Sequence, residues 1–351
     1  MLFVFIMAAA IWFFGGVAGM PRKLRLTLLG LLYVAVLGVQ LVFPEGNPLK
    51  EVTGGSAALW LILCGFGVLV FGYRAGLIWL RARASGPASS LPDKPKGNFS
   101  ETELNRYARH IVLREVGGPG QKALKDAAVL VIGAGGLGAP VLQYLAAAGV
   151  GTIGVIDDDV VDNANLQRQV IHRDADIGMP KVFSAEAAMR AQNPFVTVRP
   201  YNRRLTEDIA ADLIADFDLV LDGTDNFETR YLANRACVAA GKPLVSGALS
   251  QWEGQLSIFD PAQGAPCYQC IFPKAPAPHL APSCAEAGVI GPLPGVIGSM
   301  MAIEAIKLIT QAGTPLRGQM VIYDALYGES RTIGVSRRAD CAVCGGQGAP
   351  L

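Results

Sequence analysis

Histidine is scarce in this 351-residue chain: the three, His110, His172 and His279, fall at no metal-ligand spacing and beside no catalytic partner motif. That excludes a histidine-built metal centre and leaves each a surface or structural role. An excess of either charge is also missing, with 30 basic residues against 29 acidic ones and no long charge run or internal repeat. Such a balance argues against a large nucleic-acid footprint. The first eighty residues lack charge of any kind over long stretches. Leu2 to Met20, Leu26 to Phe43 and Val52 to Tyr73 are apolar runs, each long enough to span a bilayer, which takes about 20 residues of helix. The first run opens MLFVF, without a basic n-region, and two more runs follow, which a cleaved signal peptide does not explain. The expectation is three transmembrane helices within residues 1–83, a flexible Pro-, Ser- and Gly-rich linker over 84–100, and a folded domain over 101–351.

The few charges in the first part orient it. Arg22, Lys23 and Arg25 separate the first two runs, and Arg74, Arg81 and Arg83 flank or follow the third. Positive loops stay in the cytoplasm. The N-terminus and the PEGNPLKEV loop then lie outside, and everything after Arg81 lies in the cytosol. The chain reads as a multi-pass protein of the inner (cytoplasmic) membrane.

Beyond the linker, buried strands (VLVIG, TIGVID, DLVLDGT, PLVSGA) alternate with helical segments, the pattern of an α/β, Rossmann-like doubly wound sheet. A more antiparallel extension follows around GQLSIFD and QMVIYDA. The run PGVIGSMMAIEAIKLITQAG is apolar around most of its circumference, so it belongs in a core or a dimer interface.

Gly133, Gly135, Gly136 and Gly138 form a turn between the first strand and its helix. Such a turn lets backbone N–H groups and a helix N-terminus approach phosphate. Asp157 ends the next apolar run, about 20 residues on, where an acid can take ribose hydroxyls. To this point NAD and a mononucleotide fit equally well. The charges that follow distinguish them: Arg168 within NLQRQ, Lys181 after GMP, and Asp225 within DGTDN. Breaking ATP between its α- and β-phosphates calls for cations on the departing pyrophosphate and a carboxylate for Mg²⁺. Nicotinamide chemistry uses none of these.

Four of the seven cysteines form two C-x-x-C pairs, Cys267 with Cys270 and Cys341 with Cys344. Two such knuckles suit a closed, structural Cys₄ Zn²⁺ site that staples the C-terminal tail to the domain; disulfides are the alternative in an oxidising compartment. Cys237 and Cys64 lie in apolar or amphipathic helical runs and read as packing residues. Cys284, in the Pro-rich stretch APAPHLAPSCAEAG, is either an accessible thiol on a crossover loop or a partly buried structural cysteine.

From about Thr102 to Gly345 the chain resembles the MoeB/ThiF family of E1-like adenylyltransferases. The motifs that carry the likeness are RYARHIVL (Arg106 to Leu113), GAGGLG, the pair Asp157 and Asp159, NLQRQ, Lys181, DGTDN, SCAEAGV (Ser283 to Val289) and the two knuckles. The resemblance implies that Gly136 and Asp157 contact the nucleotide, that Asn165, Arg168 and Lys181 reach the phosphates, and that Asp225 coordinates Mg²⁺ with Asn226 beside it. It implies a homodimer in which Arg109 reaches the partner's ATP site, and a covalent link through Cys284 in the thiamine branch only. The implied reaction is attack of the C-terminal glycine carboxylate of a ubiquitin-like sulfur carrier on the α-phosphate of MgATP. A carboxylate is already ionised at neutral pH, so no general base is needed. The segments LVSGAL and GVIGSMMAIEAIK most resemble the molybdopterin-synthase branch. A thiamine-type or other carrier is the second reading, and a membrane-tethered NAD(P)-dependent oxidoreductase the third. Without a C-terminal rhodanese domain, sulfur comes from another protein.

Overall fold

The computed structural model describes residues 2–17, 20–84, 99–276 and 287–345. Its internal contacts divide the chain into two units, Met1–Ser90 and Leu91–Leu351.

The first unit is helical: α1 (Leu2–Val17), α2 (Arg22–Val42), α3 (Pro48–Val52) and α4 (Ala57–Ala84). The third apolar run divides, because Gly54 and Gly55 both take positive φ, a backbone state that favours glycine and ends α3 before α4 begins. The helix that follows is 28 residues long and continues past Tyr73 to Ala84. α1, at 16 residues, is shorter than the expected run from Leu2 to Met20. By length and composition, Lys23–Val42 and Ala57–Arg74 could each cross a membrane. Val4, Val36 and Trp60 pack together inside the unit. Gln40 Nε2 donates to the Lys50 carbonyl at 2.9 Å and the Thr53 hydroxyl at 2.7 Å, tying α2 to the turn before α4. Outward faces carry Phe3, Phe13, Phe14, Leu31, Phe66 and Leu69, all exposed.

The second unit is built on one eight-stranded sheet ordered β3-β2-β1-β4-β5-β6-β7-β8. β1 (Ala128–Ile132), β2 (Thr152–Asp157), β3 (Thr197–Asn202), β4 (Leu219–Asp222) and β5 (Leu244–Leu249) are parallel. β6 (Glu253–Phe259), β7 (Gln319–Asp324) and β8 (Glu329–Gly334) continue it antiparallel, where the sequence places its extension. β1 is buried along its whole length, as a strand covered on both faces must be. One face is covered by α7 (Gly138–Ala148), α8 (Lys181–Gln192) and α12 (Pro292–Thr310). The other is covered by α9 (Glu207–Ala215) and α10 (Phe227–Ala240), packed around Phe217. α12 is apolar and long enough for a bilayer, yet Leu293, Ile297, Met301 and Ala305 fill the sheet core. Of the two placements expected for that run, a core or a dimer interface, these side chains take the core.

Two further helices precede β1: α5 (Glu101–Ile111) and α6 (Gly117–Asp126). Ser100 and Glu103 form a reciprocal capping box that starts α5. Glu103 also receives the buried ammonium of Lys125 at 2.7 Å, and Asn193 Nδ2 donates to the Tyr107 hydroxyl at 2.8 Å. α5 is thus docked by its inner face, and Arg109 stands on the exposed one. The short α11 (Tyr268–Ile271) carries the first cysteine knuckle.

Gly138 starts α7 directly against the glycine turn: a Cβ there would stand 1.9 Å from the Gly133 carbonyl oxygen. Gly138→Ala must therefore push turn and helix apart. The expected cost is roughly 3 kcal/mol, the upper end of ordinary overpacking, read by denaturant unfolding. A cost below about 0.5 kcal/mol would show that the contact relaxes freely.

Candidate nucleotide site

Strand order reverses between β1 and β4, and the crevice outside the carboxyl ends of parallel strands at such a switch point is where α/β sheets bind ligands. A cleft of about 710 Å³ opens there. Its floor is two loops in contact. The turn after β1 holds Gly133 at φ +95°, and a Cβ on that residue would lie 3.3 Å from the carbonyl oxygen of Gly223, in the turn after β4. Both loops therefore need small residues to approach each other.

Gly133, Gly135, Gly136, Asp157, Asp159, Arg168, Lys181, Asp225 and Asn226 all line this one cleft. α7 begins there with no side-chain cap; its Ala139 N–H goes to the Gly135 carbonyl at 2.8 Å and Pro140 has none, so the amides open to a ligand among the described residues are those of Gly135, Gly136 and Leu137 just before it. The Asp157 carboxylate accepts the N–H of Ala134 at 2.7 Å and that of Asp159 at 2.8 Å, joining the glycine turn to the end of β2. Burial pushes this carboxyl above the usual carboxylate range, against the pull of Lys181 and the two amides. The buried Lys181 Nζ is held by Asp159 at 2.7 Å. Arg168 Nη2 donates to Asn165 Oδ1 at 2.8 Å, and its Nη1 to the Ala164 carbonyl at 3.2 Å. Asp225 is exposed to the cleft and has no hydrogen bond or ion pair among the described residues.

Some expected residues have other positions. Gly138 packs behind the turn and Asn165 orients Arg168; neither lines the cleft. Asn226 lines it, but its side chain caps α10, accepting the Thr229 N–H at 2.8 Å. That cap fixes the residue beside Asp225. Arg109 is absent from the lining of its own chain's cleft. Cys284 and His279 lie outside the described residues.

A buried pair behind Asp225 was not legible in the motifs. Asp222 Oδ1 accepts from both the N–H and the hydroxyl of Thr224, and its other oxygen lies 3.7 Å from Arg230 Nη1. Arg230 also donates to the carbonyls of Thr224 and Gly247 and to the Ser246 hydroxyl. Together they clamp the turn that carries Asp225. The signal lay in α10, where Arg230 occupies the inward stripe shared with Ala233, Asn234 and Cys237. His172 is likewise buried, which sets aside a surface role for it.

The cleft runs on past Gln255, Ser257 and Phe259 of β6 to Tyr268, Phe272 and Lys274. Just beyond, Cys267, Cys270, Cys341 and Cys344 gather with all four Sγ atoms within 4.8 Å of one another. The separations include 3.4, 3.6 and 3.9 Å, and no disulfide is formed. A tetrahedron with Zn–S bonds near 2.3 Å has edges of about 3.8 Å, so these thiols fit a zinc ion. The Arg338 N–H, 3.4 Å from Cys270 Sγ, adds the outer hydrogen bond such thiolates need.

The chain is similar to the sulfur carrier protein adenylyltransferase of Thermus thermophilus, 49% identical over 251 residues that cover 70% of this chain and 93% of that one. It is also 51% identical over 255 residues to the probable adenylyltransferase/sulfurtransferase MoeZ of Mycobacterium tuberculosis, covering 71% of this chain and 65% of that longer one. Among solved structures, E. coli MccB shares the fold, with a TM-score of 0.61 at 23% identity over 71% of this chain and 76% of that one. Residues 107–343 match the model of the ThiF family, and the chain belongs to that family.

Proposed function

We propose that this chain adenylates the C-terminal glycine of a ubiquitin-like sulfur carrier, of the molybdopterin-synthase small-subunit type. One observation carries the reading: the glycine turn, Arg168, Lys181 and Asp225 meet around one cleft whose far end follows β6, a path suited to an extended peptide tail. The amides of the glycine turn, at the N-terminal end of α7, hold the phosphates. Arg168 and Lys181 neutralise the departing pyrophosphate, and Lys181 arrives already oriented by Asp159. Asp225, with no side-chain partner among the described residues, would hold Mg²⁺, which supplies charge for an attack of one anion on another. The carrier carboxylate bonds to the α-phosphorus as the bond to pyrophosphate breaks, giving an acyl-adenylate primed for sulfur. Zinc would serve structure alone, since four thiolates leave no open position. Pyrophosphate exchange into ATP should depend on one carrier when molybdopterin-type and thiamine-type carriers are compared. Exchange with the thiamine type alone would move the protein to that branch, and tight NADH binding without ATP binding would end the reading.

The active unit is a homodimer in which Arg109 enters the partner's cleft. Arg109 is exposed and unpaired among the described residues, and the apolar Leu104, Val112 and Leu113 are exposed around it. If so, Arg109→Ala and Asp225→Ala chains, each inactive, should regain about a quarter of the wild-type rate when mixed. Half of randomly formed dimers are mixed, and each restores one site of two. No recovery in demonstrably mixed dimers would put Arg109 out of the site.

The first unit anchors the enzyme in the inner membrane with the cleft in the cytosol. Its exposed phenylalanines and leucines suit lipid, and the basic residues after Tyr73 mark the cytoplasmic side. A C-terminal fluorescent reporter should light the cell, and a periplasm-dependent phosphatase fused there should stay silent; the reverse pair of results would invert the topology.

A further inference from the structure

Residues 168–172 form successive turns laid across the glycine turn. Gln169 N–H bonds to the Asn165 carbonyl and His172 N–H to that of Gln169. Arg168 packs over Gly136 and Gln169 over Gly135, each 3.7 Å from where a Cβ would stand. His172 takes the next residue back. Its Nε2 is 2.9 Å from the carbonyl oxygen of Ala134, and its ring is 6% exposed. A carbonyl can only accept, so Nε2 carries a proton.

The other ring nitrogen allows this in two arrangements. Nδ1 is 2.9 Å from Ser184 Oγ, which is itself 2.6 Å from Asp176 Oδ2. When Ser184 gives its proton to Nδ1, the ring is neutral with its single proton on Nε2. When Ser184 gives it to Asp176, the ring is the cation and carries both. In either case Nε2–H donates to Ala134. The same residue's N–H is taken by Asp157 at 2.7 Å, so residue 134 is clamped from both ends. The Ala134 carbonyl shares its peptide plane with the Gly135 N–H, so the clamp fixes that amide directly, and Gly135 and Gly136 both line the cleft.

We propose that His172 is a positioning residue for phosphate: by holding the Ala134 carbonyl it keeps the amides of the glycine turn aimed at the nucleotide's phosphates. This rests on reading the cleft as a nucleotide site. The consequence is specific to phosphate, because adenosine makes no use of those amides. A purely structural role would weaken all nucleotides alike.

The test uses the full chain in detergent and compares MgATP with adenosine for wild type, His172→Phe, His172→Gln and His172→Asn, with melting temperature as control. Gln can put an amide N–H near the position of Nε2, whereas Asn reaches only that of Nδ1. The expected result is about a tenfold loss of MgATP affinity for Phe and Asn, the worth of one hydrogen bond, with adenosine affinity unchanged and Gln within threefold of wild type. Equal MgATP affinity in all four, or parallel loss of adenosine, would overturn the proposal. If the Phe variant does not fold, the Asn and Gln pair decides alone, and equal affinities for that pair overturn it. A wild type that binds no MgATP would instead defeat the nucleotide reading.

Discussion

Asp225→Ala should reduce carrier-dependent pyrophosphate exchange by about 10³-fold or more, while the protein melts within a degree or so of wild type. The two halves of this expectation have separate causes. Stability is spared because the Asp225 side chain is exposed and bonds to nothing among the described residues; exposed substitutions without such partners stay within about 0.5 kcal/mol. Activity is lost because the reaction brings a carboxylate onto a phosphate, and fixed opposite charge at the site carries most of the help. Removing one preorganised group of that kind costs about 10² to 10³ elsewhere, and here a metal's position goes with it. Asp225→Asn, which keeps an oxygen and loses the charge, should fall between. Its neighbour behaves oppositely. Asp222 is buried and clamped with Arg230, so Asp222→Ala should unfold the turn and lower the melting temperature. Exchange by Asp225→Ala within threefold of wild type would remove Asp225 from the chemistry.

That contrast shows how much of the site the sequence made legible. Glycines after a buried strand, Arg168, Lys181 and Asp225 are local signals, and each reached the same cleft because strand order at a switch point brings separate loops together. The parallel strands and the antiparallel extension were likewise written in local hydrophobic pattern. What the pattern withheld were side chains whose meaning is a distant partner. Arg230 is one charge on a helix until Asp222, Ser246 and Gly247 are seen around it. His172 had no motif, because its partners Ala134 and Ser184 are 38 and 12 residues away. Asn165 and Asn226 were legible as site residues, but whether an amide binds a ligand or orients a neighbour depends on geometry alone. Helix limits failed where glycine broke an apolar run, as at Gly54 and Gly55.

The cysteine cluster yields the other large effect. The purified protein should contain about one zinc per chain. Cys344→Ser should lose that zinc and melt about 10 °C or more below wild type. Cys341 and Cys344 pack with Cys267, Cys270 and Val238 in a core cluster too small to order the segment by burial alone, and Arg337 adds a hydrogen bond to the Cys344 carbonyl. Metal binding contributes on the order of 10 kcal/mol in isolated four-ligand sites. Even a third of that, at 2–4 °C per kcal/mol for a domain of this size, gives the stated shift. The effect should also reach the cleft. Tyr268 and Phe272, on and just after the helix of the first knuckle, line it, and the Tyr268 N–H is held by Asn234 of α10 at 2.8 Å. Zinc loss should therefore weaken carrier-dependent exchange while leaving MgATP binding at the glycine turn nearly intact, because the turn is fixed from β2 and the 168–172 segment instead. A reductant should change neither quantity, since the four sulfurs are not joined in pairs. Native protein without zinc, or a Cys344→Ser chain that melts with wild type, would mean that the tail is held by packing and that the four thiols meet for some other reason.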